Sequence, residues 1–306
     1  MVLYATGFNA WNQLGFDVPG VGESDDFSSF TCVLRDEVEI VRPFLSYTRV
    51  HDGHETIHQY PSIHHLLSHI SDISHTSQPN FLLNAPKAQN KPPTTFPNLP
   101  NITHLLAHDT GFAALSSTGQ VYTWGDERYT ACLGREPTDE SPASTPTPLS
   151  SLSDLPTGPI TKIAAGGYVL AALTAGNDLY IWGHSGRFPF LGADVLSGTP
   201  CPVIITGTGT DTTDDVPRGE NEGDEEEKDI IDVAVGNSHI LVLTTDGEVF
   251  VIGQNGNGQL GVPGVVESTR RWIRVDLDSV LGVGEVVTGV VAGPRSSFLV
   301  VEKLEQ

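Results

Sequence analysis

Apolar residues in this chain fall into short dense runs, not into a helical period. Residues 165–174 and 235–244 are rich in Val, Ile, Leu and Ala and are bounded by Gly, Asn or Asp. They are too short for ordinary helices, which predicts buried strands. Hairpin turns follow such runs at Ser117-Thr118-Gly119 and Thr245-Asp246-Gly247, with Gly where a positive φ is needed. A second strand comes next, at 121–124, 179–182 and 249–252, and closes on Gly; glycine there marks a close backbone approach. A weaker strand ends each unit, at 30–34, 203–206 and 272–275.

The pattern repeats in register. Ala107, Ala165 and Val235 each precede Leu115, Leu173 and Leu243 by eight residues, and nine residues later stand Trp124, Trp182 and Ile252, each followed by Gly. The units resolve into Cys132-Leu133-Gly134, Phe190-Leu191-Gly192 and Gln259-Leu260-Gly261. Four short strands per unit with no helical period predict an all-β fold, a β-propeller of four-stranded blades.

The termini are complementary halves of one unit. LYATG at Leu3 matches LYIWG at Leu179, and Asn12-Gln13-Leu14-Gly15 matches Gly258-Gln259-Leu260-Gly261. The strands missing before Leu3 stand at the far end, around Val290-Val291-Ala292-Gly293 and Phe298-Leu299-Val300-Val301. Pairing of the two ends is expected to close the ring, which removes exposed sheet edges. Residues 39–60 overlie a degenerate unit: Ile40 stands where Ile163 does, 47–53 forms the hairpin, and Tyr60-Pro61 replaces Trp-Gly. The closing positions 7, 61, 125, 183 and 253 are 54, 64, 58 and 70 residues apart, and the step across the termini is 60. About five units result, in one domain over 1–306. Two insertions interrupt it: 61–101, Pro-, Asn- and His-rich with a short helix at 63–70, and 206–229, acidic and expected to be disordered.

These elements resemble the regulator of chromosome condensation repeat family. A-x-G, the hairpin, L-Y-x-W-G and Q-L-G carry the likeness over about two-thirds of the chain, in three good copies and two terminal halves. The layout, with a truncated first repeat and a decayed second one, resembles the regulator-of-chromosome-condensation domain-containing proteins. The resemblance implies a propeller that binds protein partners. It also implies, as an alternative, guanine-nucleotide exchange on a Ran-type small GTPase, the activity of the founding member; no wedge that would distort a nucleotide site stands out in the sequence.

Charge narrows the partners. Lys and Arg total 16 against 38 Asp and Glu, a formal charge of −22. No basic stripe exists to displace counterions, so direct nucleic-acid binding is not expected. Arg270-Arg271-Trp272-Ile273-Arg274 is the one basic cluster and is expected to cover a blade edge. The densest acidic run is ENEGDEEEKD at 220–229, which suits a protein partner with a basic surface. Glu220, Glu222, Asp224, Glu225, Glu226 and Glu227, with the apolar Phe81, Leu82 and Leu83 of the first insertion, are the candidate partner-binding residues.

Catalytic chemistry has little support. Nine of the 11 His lie between 51 and 108. His65 and His69 have the i,i+4 spacing of metal ligands, but H-L-L-S-H has no Glu to act as base. His51-Asp52 and His54-Glu55 fall on a hairpin tip, where exposure explains them. A His-dependent metalloenzyme is therefore the least favoured reading, and no catalytic, cofactor or metal residue is assigned. Cys32, Cys132 and Cys201 are far apart and odd in number, against a disulfide framework. The first residues carry no signal sequence and no apolar run is long enough to span a bilayer. The expectation is an intracellular, monomeric interaction scaffold in the cytoplasm or nucleus, with no membrane contact.

Overall fold

The computed structural model describes residues 2–9, 14, 26–35, 40–43, 48–51, 57–60, 96, 99–186, 196, 198–206 and 227–304. The first half of the described chain carries β1 (Val2–Gly7), β2 (Phe27–Leu34), β3 (Ile40–Pro43), β4 (Thr48–His51), β5 (Ile57–Tyr60), β6 (Ile102–His108), β7 (Gly111–Ser116), β8 (Val121–Gly125) and β9 (Thr147–Pro148). After them come β10 (Ile160–Gly166), β11 (Val169–Thr174), β12 (Leu179–Gly183), β13 (Cys201–Val203) and β14 (Ile230–Val235). The chain continues with β15 (His239–Thr244), β16 (Val249–Gln254), β17 (Ser268–Arg274), β18 (Glu285–Ala292) and β19 (Ser296–Lys303). Four sheets have four strands, β6-β7-β8-β9, β10-β11-β12-β13, β14-β15-β16-β17 and β18-β19-β1-β2, and β3-β4-β5 has three. These are the blades, and their strands pair antiparallel.

The two ends of the chain share a blade. Val2 pairs with Val301 and Gly7 with Ser296 across the β1–β19 ladder. The register is the one found inside continuous units, where Val169 pairs with Gly183 and His239 with Gly253. Each core cluster draws on two consecutive blades. Val169, Ile181, Val233, Val242 and Phe250 form one, and Leu241, Val251, Leu299 and Val301 form the next. Both faces of a blade are therefore covered, which is why β11 and β15 are buried at every position and read as continuous apolar runs.

Side chains repeat as strictly as the backbone. The first strand of four blades carries a register shift at the same place, between Ile102 and His104, Ile160 and Lys162, Ile230 and Asp232, and Val287 and Gly289. At three of these bulges a Thr hydroxyl donates to the facing strand: Thr103 to Leu115 O at 3.1 Å, Thr161 to Leu173 O at 3.2 Å, and Thr288 to Val300 O at 3.3 Å. Hydroxyls also shape the next hairpins, where Ser116, Thr174 and Thr244 Oγ accept from the backbone N of Gln120, Asp178 and Glu248 at 3.0, 3.0 and 3.1 Å. The expected positive φ is present at Gly119 (81°) and Gly247 (83°), and falls on Asn177 (70°) in the third copy.

Some expected boundaries move. Residues 48–51 are strand β4, paired with both β3 and β5, so they are not the turn of the hairpin expected at 47–53. Thr48 and Val50 alternate with Arg49 and His51, a period of two that suits a strand. The last strand of these units begins earlier than expected, at Phe27, Cys201 and Ser268 instead of 30, 203 and 272. Backbone pairing, and not side-chain polarity, sets the limits of an outer strand. β17 is such a strand, with Trp272 buried and Arg270, Arg271 and Arg274 exposed along the blade edge, as expected. Cys132-Leu133-Gly134 closes a short helix, α1 (Thr130–Leu133), capped by Gly134 at φ 68°. The helix expected at 63–70 lies outside the described residues, and among those residues no helix is long and apolar enough to cross a membrane.

Candidate functional site

One face of the fold is built from the turns that join the first and second strands of each blade. Residue 110, 168, 238 or 295 supplies the carbonyl in four copies of one hydrogen bond. Asp126 N donates to Thr110 O at 2.9 Å, His184 N to Tyr168 O at 2.9 Å, Gln254 N to Ser238 O at 2.8 Å, and Phe8 N to Arg295 O at 2.8 Å. Each turn residue is thereby tied to the residue that ends or directly follows the third strand of its own blade. Successive turns also touch. Asp109 N donates to Gly167 O at 3.1 Å, and a Cβ on Gly166 or Gly167 would lie 2.3 Å from Gly236 O or Asn237 O. A Cβ on Gly236 would lie 2.6 Å from Gly293 O. The glycines permit this stacking because no side chain fits between the turns. The result is a rigid rim whose backbone repeats and whose side chains do not.

The rim is richest where the β6–β9 and β10–β13 blades meet. Tyr168 sits in the β10–β11 turn, His184 follows β12, and Tyr129 stands on a 3-10 turn (Glu127–Tyr129) after β8. Asp126 caps that turn, its carboxylate accepting from Arg128 N at 3.0 Å and pairing with the Arg128 guanidinium at 2.5 Å. The guanidinium hydrogen bonds hold the Asp126 carboxyl down to about 2. Ring centroids lie 5.5 Å apart for Tyr129–Tyr168, 6.5 Å for Tyr129–His184 and 6.3 Å for Tyr168–His184. Arg128 lies over the Tyr129 ring at 5.9 Å. Beneath the cluster the Cys132 thiol donates to Tyr168 O at 3.3 Å, and burial pushes that thiol up. The Tyr168 hydroxyl is also pushed up, by Tyr129 first, then by burial and by the charge of Asp109.

Of the residues singled out in the sequence, Phe81, Leu82, Leu83, Glu220, Glu222, Asp224, Glu225 and Glu226 lie outside the described residues. Glu227 is exposed and forms an isolated antiparallel bridge with Thr206. Lys228, the one cation of the acidic run, is bound at its base: its N donates to Ile205 O at 2.8 Å, and its Nζ meets Asp246 at 2.5 Å and Glu248 at 2.9 Å. Hydrogen bonds to Asp246 and then Glu248 raise the Lys228 pKa. The ends of the acidic insertion are therefore pinned to the hairpin of the β14–β17 blade.

Among the His, His104 is exposed on β6, and burial lowers His108 to about 4. His51 and His58 belong to β4 and β5; His54, His64, His65, His69 and His75 lie outside the described residues. Cys32, Cys132 and Cys201 form no disulfide among the described residues. No group of three metal-ligating side chains occurs among the described residues. A cleft of about 330 Å³ opens beside Asp26, Asn255 and Asn257. Its polar groups serve the loop itself: Asn255 Oδ1 accepts from Leu260 N at 2.8 Å and Asn257 Nδ2 donates to Asp26 Oδ2 at 2.9 Å. The same clasp recurs in the first unit, where Asn9 Oδ1 accepts from Leu14 N at 2.9 Å.

The sequence pattern passed over Tyr129, Tyr168 and His184. A usable signal was present: Tyr168 occupies the turn position that holds Thr110, Ser238 and Arg295 elsewhere. A large aromatic at a half-buried, repeat-variable loop position is a candidate for a binding surface.

Comparisons with known proteins agree with this architecture. The model of the Regulator of chromosome condensation (RCC1) repeat matches residues 118–173, and a second model of that repeat matches 230–259. The RCC1 domain-containing protein RUG3, mitochondrial, of Arabidopsis thaliana is 29% identical over 165 residues, covering 52% of this chain and 32% of its own. The mouse RCC1-like G exchanging factor-like protein is 29% identical over 184 residues, covering 57% of this chain and 35% of its own. This chain thus spans about a third of the length of these two relatives. The crystal structure of Saccharomyces cerevisiae Prp20p superposes with a TM-score of 0.51 at 14% identity, covering 100% of this chain and 65% of that one, and shares the fold. Residues 118–173 and 230–259 thus match the Regulator of chromosome condensation (RCC1) repeat, and they fall on blades that share one register.

Proposed function

We propose that this chain is a non-enzymatic interaction scaffold that docks a protein partner with a basic surface on its rim of inner turns. The observation that carries this is the rim itself. Four turns are locked by the same hydrogen bond, so little entropy is lost when they meet a partner. The formal charge of −22 favours a basic partner and speeds its approach. Prp20p is described as binding Gsp1p and histones, and histones are basic proteins. In this reading the chain is one propeller domain over 1–306, acting as a monomer in the cytoplasm or nucleus. The acidic run 220–229 steers the partner, and Phe81, Leu82 and Leu83 add apolar contact.

Core histones are a suitable probe, with binding rates measured at low and physiological salt. Association is expected to slow as salt rises. Replacing 220–229 by Gly and Ser should slow association further without changing the melting temperature, and replacing Phe81, Leu82 and Leu83 should speed dissociation. Absence of histone binding at low salt would refute the basic-partner reading.

Guanine-nucleotide exchange is the second reading, favoured by the likeness to a protein named as a G exchanging factor. Release of labelled GDP from a Ran-type GTPase tests it directly. Acceleration by the chain supports exchange, and an unchanged release rate removes it.

A further inference from the structure

We propose that Tyr129, Tyr168 and His184 form a receptor for the cationic side chain, Arg above all, of a basic peptide segment. This rests on the reading of the turn rim as a docking face and names the subsite at which that face grips its partner.

Geometry comes first. The three centroids form a triangle with sides of 5.5, 6.3 and 6.5 Å. A cation about 5 Å above its centre lies within about 6 Å of all three rings, the range in which a ring face attracts a positive charge. Tyr129 and Tyr168 are half-buried and His184 is exposed, so the cluster is held from below and open from above. Its parts cannot drift independently. Tyr129 is fixed by the capped 3-10 turn and α1, Tyr168 by the hydrogen bonds of His184 N and Cys132 Sγ to its carbonyl, and His184 by Gly186 N, which donates to its Nδ1 at 2.9 Å. That last bond leaves the neutral imidazole with its proton on Nε2.

The chain itself shows which ligand this position accepts. Tyr168 and His184 are the counterparts of Arg295 and Phe8, since each pair is joined by the same backbone hydrogen bond. In that blade the turn residue is the cation, and the Arg295 guanidinium lies over the Phe8 ring at 5.9 Å. A second internal case is Arg128 over Tyr129, also at 5.9 Å. The Tyr168 blade has an aromatic in both places, and Arg128 lies over Tyr129 alone, so among the described residues no cation of this chain covers the Tyr168 and His184 rings. The surrounding charge fits, with Asp109 and Glu127 exposed beside the rings and Asp126 ionised. The planar guanidinium suits such a site better than an ammonium because it can stack on one ring while its N–H groups reach the carboxylates.

The test uses the full chain and a fluorescein-labelled peptide of arginines spaced by Gly and Ser, with affinity read by anisotropy at low and high salt. Tyr129→Leu with Tyr168→Leu leaves the charge unchanged and removes two ring faces. It is expected to weaken binding about fivefold, a loss that persists at high salt where long-range charge is screened. Tyr168→Phe keeps the ring and should bind as the native chain does. An unchanged melting temperature for each variant confirms that the fold is intact. Equal affinity of the native and double-Leu chains would overturn the subsite while leaving the docking face in place. Equal losses for Tyr168→Phe and the double-Leu variant would also overturn it, since the ring face would then not be the determinant. Failure of the native chain to bind the peptide at low salt would overturn both the subsite and the basic-partner reading.

Discussion

The Tyr4 hydroxyl donates to Glu285 Oε2 at 2.6 Å, linking residues 281 positions apart at the seam where the first and last strands meet. Arg35 pairs with the other oxygen of the same carboxylate at 3.0 Å. Burial first, and then the hydrogen bond to Glu285, push the Tyr4 hydroxyl up to about 12. The Glu285 carboxyl is held below its ordinary 4.5, chiefly by Tyr4. The neutral phenol therefore stabilises the fold fully below pH 10, and that contribution is lost as pH rises toward 12. The carboxylate stabilises it at neutral pH, and that contribution is lost as pH falls below about 4.5. Tyr4→Phe should cost about 1–2 kcal/mol in urea unfolding and remove from the ultraviolet spectrum the phenol that titrates near 12. Arg35→Ala, at an exposed partner, should cost less than about 1 kcal/mol.

Deleting residues 1–7 should leave β19 without the neighbour that runs from Val2 to Gly7. An exposed β19 edge is a template for pairing between copies. Size-exclusion chromatography should show higher-order species and the melting temperature should fall. A monodisperse deletion variant with unchanged melting would count against seam pairing.

Trp182 is fully buried among Leu115, Leu149, Leu152 and Leu170, and its Nε1 donates to Cys132 O at 3.3 Å across the junction of two blades. Trp182→Ala should cost about 3–5 kcal/mol in denaturant unfolding. Trp124 is also buried, stacked on Phe112 with centroids 5.4 Å apart and met edge-on by Phe96 at 5.6 Å.

Gly183 and Gly247 both hold positive φ, at 132° and 83°, but for unlike reasons. A Cβ on Gly183 would lie 2.2 Å from Tyr168 O, whereas one on Gly247 would meet nothing within 4 Å. Gly247→Ala should therefore cost only the backbone penalty of about 1–2 kcal/mol. Gly183→Ala should cost more than that and disturb the rim beside Tyr168. Parallel unfolding curves of the two variants check the order, and equal losses would contradict it.

Asp232 joins three blades. Its carboxylate pairs with Lys162 of β10 and accepts from Val290 N of β18 at 2.9 Å. Asp232→Ala strands the Val290 N–H and should cost about 2–3 kcal/mol, while Lys162→Ala, at a more exposed partner, should cost less than about 1 kcal/mol. Comparison of the two melts separates the backbone bond from the ion pair.

The sequence by itself determined the blade. Dense apolar runs such as 169–174 and 239–244 are buried on both faces, a requirement of every unit, so selection for burial leaves a repeating trace. The meeting of the chain ends was legible for the same reason, because half a unit at each end leaves one ladder to complete. Of the rim cluster only the turn position of Tyr168 was marked in the sequence: Tyr129, Tyr168 and His184 come from loops of two blades, and loop side chains obey no period. Neither the Asp232 peg between blades nor the Tyr4–Glu285 pair within the shared blade was legible, since such contacts depend on how bulges, strands and turns come together in three dimensions. Strand limits at outer edges escaped as well, because they follow backbone pairing and not apolar pattern. Periodic burial writes itself into sequence, whereas a single contact between elements far apart in the chain exists only once the fold has brought them together.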